Sequence, residues 1–63
     1  MNQGTPVRVL RTGDSHIDRF AGAAGRIVTT REVDDHGYRY TQVCVGFDDG
    51  GSVWVNEDEV AES

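Results

Sequence analysis

The chain has 63 residues, a net charge of −5 and one cysteine. This length allows one domain with a small core, and a single thiol excludes an intrachain disulfide, which favours a reducing, cytoplasmic setting. No apolar run approaches the ~18 residues that a membrane-spanning helix needs. We therefore expect residues 1–63 to form one domain, with residues 1–5 as a flexible N-terminus, that works in the cytoplasm without a membrane partner.

The charge is unevenly distributed along the chain. All six basic residues are arginines that lie between Arg8 and Arg39, whereas six acids and no base follow Arg39. Nucleic-acid affinity depends mainly on basic side chains that neutralise phosphates, so the acidic half disfavours such binding. Nucleic-acid binding remains an alternative only if the arginines cluster on one face.

The first half of the chain predicts one strand and a long loop. Pro6–Thr12 alternates in part and reads as the first strand, because proline suits a strand start. Gly13–Ala24 is polar and rich in glycine, and its apolar residues Ile17 and Phe20 are expected to tuck under the sheet. Ser15 is a candidate cap for a short helical turn in this loop.

A meander follows. Gly25–Val33 is rich in β-branched residues and predicts the second strand. Asp34–Gly37 predicts a turn, and Tyr38–Phe47 predicts the third strand. An Asp-Gly pair within Asp48–Gly51 is a strong hairpin signal.

The C-terminal segments complete the pattern. Ser52–Asn56 predicts the fourth strand, Glu57–Glu59 fits one 3-10 turn, and Val60–Glu62 predicts a short fifth strand. This order is that of an all-β, five-stranded SH3-like barrel, with one long loop after the first strand and a 3-10 turn before the last. The predicted core comprises Val7, Val9, Phe20, Ile27, Val43, Val45, Phe47, Val53, Val55 and Val60.

Short motifs resemble a known group of SH3-like proteins. They are Val7-Arg-Val9, Gly25-Arg-Ile-Val28, Val43-Cys-Val-Gly-Phe47, and Trp54-Val55 followed by Glu57-Asp-Glu-Val60. The pattern is similar to the variable chain of ferredoxin–thioredoxin reductase, photosystem I subunit IV, the nitrile hydratase β-subunit and type II dihydrofolate reductase. The resemblance implies a barrel that docks on a larger partner as an accessory subunit.

The reductase activity within this group does not carry over. The reductases continue after Gly-Ser-Val with Gln-Ile-Tyr, where this chain has Trp54, Val55 and Asn56, and they need a lysine that this sequence lacks. We therefore predict no catalytic residue and no cofactor. A small oligomeric enzyme with a site between subunits remains a further alternative.

Trp54 is the main candidate for a binding residue. Strand alternation places Val53 and Val55 inward and the indole outward. The same rule places Tyr38, Tyr40 and Gln42 on the outer face of the third strand, with Asn56 as part of a polar rim. We predict that Trp54, Tyr38, Tyr40, Gln42 and Asn56 bind a protein partner or a second copy of the chain. The alternative is that the long loop folds over the indole.

A metal site is not expected. His16, His36, Cys44 and the Asp34-Asp35 pair do not show zinc-like spacing, and turn roles suit Asp34 and His36 better. The preferred function is a non-catalytic interaction module or accessory subunit. The alternatives are a nucleic-acid-binding barrel of the KOW or Tudor kind and the oligomeric enzyme.

Overall fold

The computed structural model describes residues 2–63, and within this range five antiparallel strands form one sheet in the order β4-β3-β2-β1-β5. The prediction of an all-β, five-stranded protein is thus confirmed. The strands are β1 (Pro6–Val9), β2 (Ala24–Asp35), β3 (Tyr38–Gly46), β4 (Ser52–Asn56) and β5 (Val60–Glu62). A short helix α1 (Ser15–Asp18) and a 3-10 turn (Glu57–Glu59) lie between strands.

The core sits on one face of this sheet. Seven of the ten predicted core residues form a single buried cluster to which all five strands contribute. They are Val7, Val9, Ile27, Val43, Val45, Val55 and Val60. Phe20, Phe47 and Val53 are partly buried against the cluster, together with Ile17. Because strands at both ends of the sheet order bury side chains in the same cluster, the sheet must wrap around it.

The long loop closes one end of the core. The Phe20 ring stacks on Phe47, with centroids 5.5 Å apart and planes 6° from parallel. The predicted Ser15 cap is wrong, because Asp14 is the N-cap and its carboxylate accepts a hydrogen bond from the His16 backbone N–H at 2.9 Å. Asp14 precedes the helix in an extended conformation, which is the geometry that lets a cap side chain reach back.

A second carboxylate holds the start of this loop. Asp18 accepts hydrogen bonds from the backbone N–H groups of Thr12 at 2.7 Å and Gly13 at 3.1 Å. The chain has already left the sheet here, since β1 ends at Val9 rather than at Thr12 as predicted. The backbone N–H of Leu10 instead donates to the carbonyl of Glu59.

The β2–β3 hairpin is tighter than predicted. Asp34 and Asp35 belong to β2 and pair with β3, so the loop is only His36-Gly37 rather than a four-residue turn. Both loop residues have positive φ, 53° at His36 and 83° at Gly37. A two-residue loop of this kind matches the right-handed twist of the strands. Asp34 supports it by accepting a hydrogen bond from the Gly37 N–H.

The β3–β4 hairpin also differs slightly at its start. β3 ends at Gly46 rather than at Phe47, and the backbone N–H of Phe47 donates to the Gly51 carbonyl at 2.8 Å. Gly50 closes the turn by donating to the Phe47 carbonyl, with a φ of 90° that favours glycine.

A β-bulge at Val28 interrupts the long hairpin. Ile27 pairs with Val45 and Thr29 pairs with Cys44, so Val28 has no partner in the ladder and is 47% exposed. One extra residue reverses which side chains face the core. In β2, the odd-numbered side chains therefore point toward the core up to Ile27, and from Thr29 onward they point away from it.

The predicted flexible N-terminus includes Met1, which lies outside the described residues. Gly4 donates its backbone N–H to the Ile27 carbonyl at 2.7 Å, and Ile27 donates back to the Thr5 carbonyl at 3.0 Å. These hydrogen bonds extend the β2 contacts as far as Gly4.

Candidate functional site

The candidate site lies on the outer face, which we define as the side of β2, β3 and β4 opposite the buried cluster. Trp54 lies on this face directly across from Cys44 and is 37% exposed. Its neighbour Val55 is buried in the core and Val53 is partly buried against it. The indole therefore faces outward, as strand alternation predicts.

The cover over Trp54 is an arginine rather than the long loop. The Arg31 guanidinium carbon lies 4.1 Å from the indole centroid, a cation–π contact. The loop residues Ile17 and Phe20 pack against the core instead. The predicted alternative of a loop folded over the indole is therefore not the arrangement found. Cys44 is buried beside this pair, 8% exposed, which leaves its thiol little access to solvent.

A row of polar side chains crosses the outer face beside Trp54. Arg31 donates from Nε and Nη2 to Gln42 Oε1, at 2.9 and 2.7 Å. Gln42 in turn donates from Nε2 to Asn56 Oδ1 at 3.3 Å. The backbone N–H of Asn56 donates to Glu59 Oε1 at 2.6 Å. These bonds connect β2, β3, β4 and the 3-10 turn, and they hold the Arg31 guanidinium in place over the indole.

The tyrosines form the other end of the outer face. The rings of Tyr38 and Tyr40 are 6.3 Å apart and tilted by 46°, and Tyr38 is 73% exposed. Beside them runs an open groove of about 490 Å³. It is lined by Tyr38, Tyr40, Thr41, Asn56, Glu57 and Asp58.

The structure thus places the five predicted binding residues on one continuous surface. Gln42 and Asn56 join its two ends, with Trp54 and Arg31 on one side and the tyrosine groove on the other. Sequence reasoning missed Arg31, because the bulge that turns it outward carries no strong sequence signal. It also missed the contribution of Glu57 and Asp58, which lie past the last residue of β4.

The arginines have separate partners within the chain. Five of the six each contact a different neighbour: the Gly22 carbonyl (Arg8), the Phe20 ring (Arg19), the Gly4 carbonyl (Arg26), Gln42 and Trp54 (Arg31), and Asp34 (Arg39). A phosphate backbone needs several cations on one side. With six acids and no base after Arg39, the C-terminal part of the chain disfavours a nucleic-acid interface.

Other kinds of site find little support in residues 2–63. No group of three or more His, Cys, Asp or Glu side chains in this range is placed to hold a metal ion. Of the residues named as possible ligands, His36 lies in the β2–β3 loop, and the Asp34 side chain accepts a hydrogen bond from the Gly37 N–H of that loop. Neither α1 nor the 3-10 turn, the helical segments of this range, has the length and apolar character that a membrane crossing requires.

Comparison with known proteins gives one informative match. No protein-family model matches the chain, and no curated protein does. A solved structure, the solution structure of the cyanobacterial cytochrome b6f complex subunit PetP, is similar over 100% of this chain and 80% of that one, with 36% sequence identity and a TM-score of 0.77. The match supports the fold of a small β accessory subunit but does not confirm the four specific families that the sequence motifs resemble. At this level of identity over the full length, the chain belongs to the family of the cytochrome b6f subunit PetP.

Proposed function

We propose that this chain is a non-catalytic accessory subunit that docks on a cytochrome b6f complex through its outer face. The observation that carries the proposal is the full-length match to PetP, which is a subunit of that complex in cyanobacteria. The match covers all of this chain and 80% of that one at 36% identity, so the similarity is not confined to fold-determining motifs.

The outer face has the composition of a docking surface. Trp54 offers a large apolar side chain, and tryptophan, tyrosine and arginine are the residues that most often dominate binding energy at interfaces. Arg31 and Gln42 already hold this region in a fixed arrangement through two hydrogen bonds. A partner would therefore meet an ordered surface and would lose less side-chain entropy on binding. Asn56 and the acids beyond it supply a polar rim.

Several features support a role without catalysis. The sequence lacks both the lysine and the Gln-Ile-Tyr stretch of the related reductases. The groove beside the tyrosines is open to solvent, and open sites suit acid–base chemistry poorly. The single free thiol, Cys44, supports a reducing, cytoplasmic location, which is part of this proposal. The expectation that the protein works without a membrane partner is not part of the proposal, because a small subunit can dock on the exposed part of a membrane-bound complex.

Binding to the purified complex tests the proposal. We expect the chain to bind an immobilised, detergent-solubilised cyanobacterial cytochrome b6f complex, and Trp54→Ala to weaken binding at least about tenfold, or roughly 1.4 kcal/mol. Trp54→Phe retains an aromatic ring and should lose less binding affinity than Trp54→Ala. Thermal melts of each variant check that the fold is intact.

A matched pair of arginines tests the face itself. Arg31→Gln and Arg39→Gln each remove one charge from the β2–β3 hairpin, but Arg39 lies on the opposite face of β3, where it pairs with Asp34. We expect only Arg31→Gln to weaken binding. If the parent chain shows no binding at about 100 µM, the proposed partner is wrong. If it binds and Trp54→Ala binds equally well, the proposed face is wrong.

A further inference from the structure

The outer face already contains one bound guanidinium. The guanidinium carbon of Arg31 lies 4.1 Å from the Trp54 ring centroid, while Gln42 Oε1 accepts two of its N–H groups. An aromatic face below and an oxygen acceptor at the side are what a guanidinium needs, because it is a planar cation with several in-plane donors. Trp54 and Gln42 therefore show how this surface binds an arginine.

The tyrosine groove offers aromatic and acceptor groups of the same kind. Tyr38 and Tyr40 provide two aromatic faces, and Tyr38 is 73% exposed. Glu57 and Asp58 provide carboxylates along the same groove. None of the residues described as lining the groove is basic. Its volume of about 490 Å³ lies within the range of about 300–1,000 Å³ that is usual for ligand clefts.

The chain's own nearest arginine in sequence is directed elsewhere. Arg39 stands between the two tyrosines, but strand alternation places it on the opposite face of β3. There it pairs with Asp34 across the hairpin, with Nε 3.5 Å from Oδ2. The groove thus contains aromatic and anionic groups, while the adjacent cation of the same strand is turned away.

We infer that the groove receives an arginine side chain of the partner protein, and this inference rests on the proposed docking function. Tyr38 and Tyr40 contact the guanidinium face, and Asp58 accepts its N–H groups. Charge complementarity selects this occupant, because the part of the chain from position 40 onward has six acids and no base. Arginine is preferred to lysine because a planar guanidinium can stack on a ring and bind a carboxylate together.

The test uses a defined probe on the intact chain. The ¹⁵N-labelled protein is titrated by NMR with a capped Gly-Gly-Arg-Gly-Gly peptide at low salt, and with the citrulline analogue that lacks the charge. We expect saturable shifts at Tyr38, Tyr40, Asn56, Glu57 and Asp58, with weak millimolar affinity that falls as salt rises. The citrulline peptide should give markedly smaller shifts.

Variants of exposed residues sharpen the test without threatening the fold. Tyr38→Leu should lower the affinity for the arginine peptide at least about threefold, whereas Tyr38→Phe should retain most of that affinity. Asp58→Asn is compared with Asp48→Asn, which removes the same charge from the distant β3–β4 turn. Only Asp58→Asn should weaken binding.

The outcomes separate this inference from the proposed function. Absent shifts, shifts spread evenly over the acidic surface, or equal losses for Asp58→Asn and Asp48→Asn would overturn the arginine groove. If the cytochrome b6f complex still binds in that case, the accessory role stands. If the peptide binds in the groove but the complex does not, the groove stands and the named partner is wrong. Sedimentation that reveals a dimer blocking the groove would assign it to a second copy and overturn the inference.

Discussion

Truncation of Val45 tests the assignment of the two faces of β3. Val45 is 0% exposed and pairs with Ile27 on one side and Val53 on the other. Val45→Ala removes two methyl groups, which corresponds to roughly 1.6 kcal/mol of lost transfer free energy at about 0.8 kcal/mol per carbon. The cavity left in a close-packed core raises the expected loss to about 2–3 kcal/mol. A domain of this length has a total stability of only about 3–9 kcal/mol, so the variant should lose at least about a fifth of it.

Urea and thermal unfolding of the parent and of two valine variants measure this effect. Val28→Ala is the matched control, because it removes the same atoms from the β-bulge, where the side chain is 47% exposed. We expect Val28→Ala to change the free energy of unfolding by no more than about 0.5 kcal/mol. If Val45→Ala unfolds at the same denaturant concentration as the parent, the side chain is not in the core and the faces of β3 are reversed.

Three further perturbations have distinct expected results. Gly25→Ala should destabilise the protein strongly, because a Cβ there would lie 2.6 Å from the carbonyl oxygen of Gly46. Gly46→Ala should destabilise it less, because the new Cβ would meet mainly a movable valine methyl at 2.7 Å. Equal melting temperatures of the two variants would contradict this expectation. Backbone N–H donors, chiefly that of the residue at position 12, hold the pKa of Asp18 below its ordinary value of 3.8. The ionised Asp18 therefore stabilises the folded protein fully at pH values above the ordinary pKa, and this stabilisation is lost as the pH falls through the lower folded-state pKa. In melts at acidic pH, Asp18→Asn should abolish this part of the pH dependence of stability. Acrylamide should quench Trp54 fluorescence in the parent and more strongly in Arg31→Ala; unchanged quenching would show that the guanidinium does not shield the indole.

The sequence was sufficient for most of the fold because its signals were local and mutually consistent. Alternation in Ser52–Asn56 gave both the bounds of β4 and the direction of Trp54. The Asp-Gly pair after Phe47 marked the second hairpin, and the charged segment Glu57–Glu59 was too short for anything but one turn. In each case propensity, spacing and burial favour the same structure, which is the condition under which single-sequence reasoning succeeds.

The differences arise where one residue changes the register. The loop at His36-Gly37 required a positive φ at His36, a conformation that few residues other than glycine adopt, so the longer turn over Asp34–Gly37 was the natural expectation. The cap at Asp14 was missed because Ser15 is an equally good capping residue, and only the backbone geometry decides between adjacent candidates.

The bulge at Val28 determines the candidate site as well as the fold. With unbroken alternation from Ile27, Arg31 would lie on the opposite face of β2, away from Trp54. The extra residue turns Arg31 outward and aligns it with Gln42 across the ladder. Trp54 then lies within reach of the guanidinium, although it is two strands away in the sheet. A local irregularity of β2 thus brings Arg31, Gln42 and Trp54 together from three strands at the candidate site.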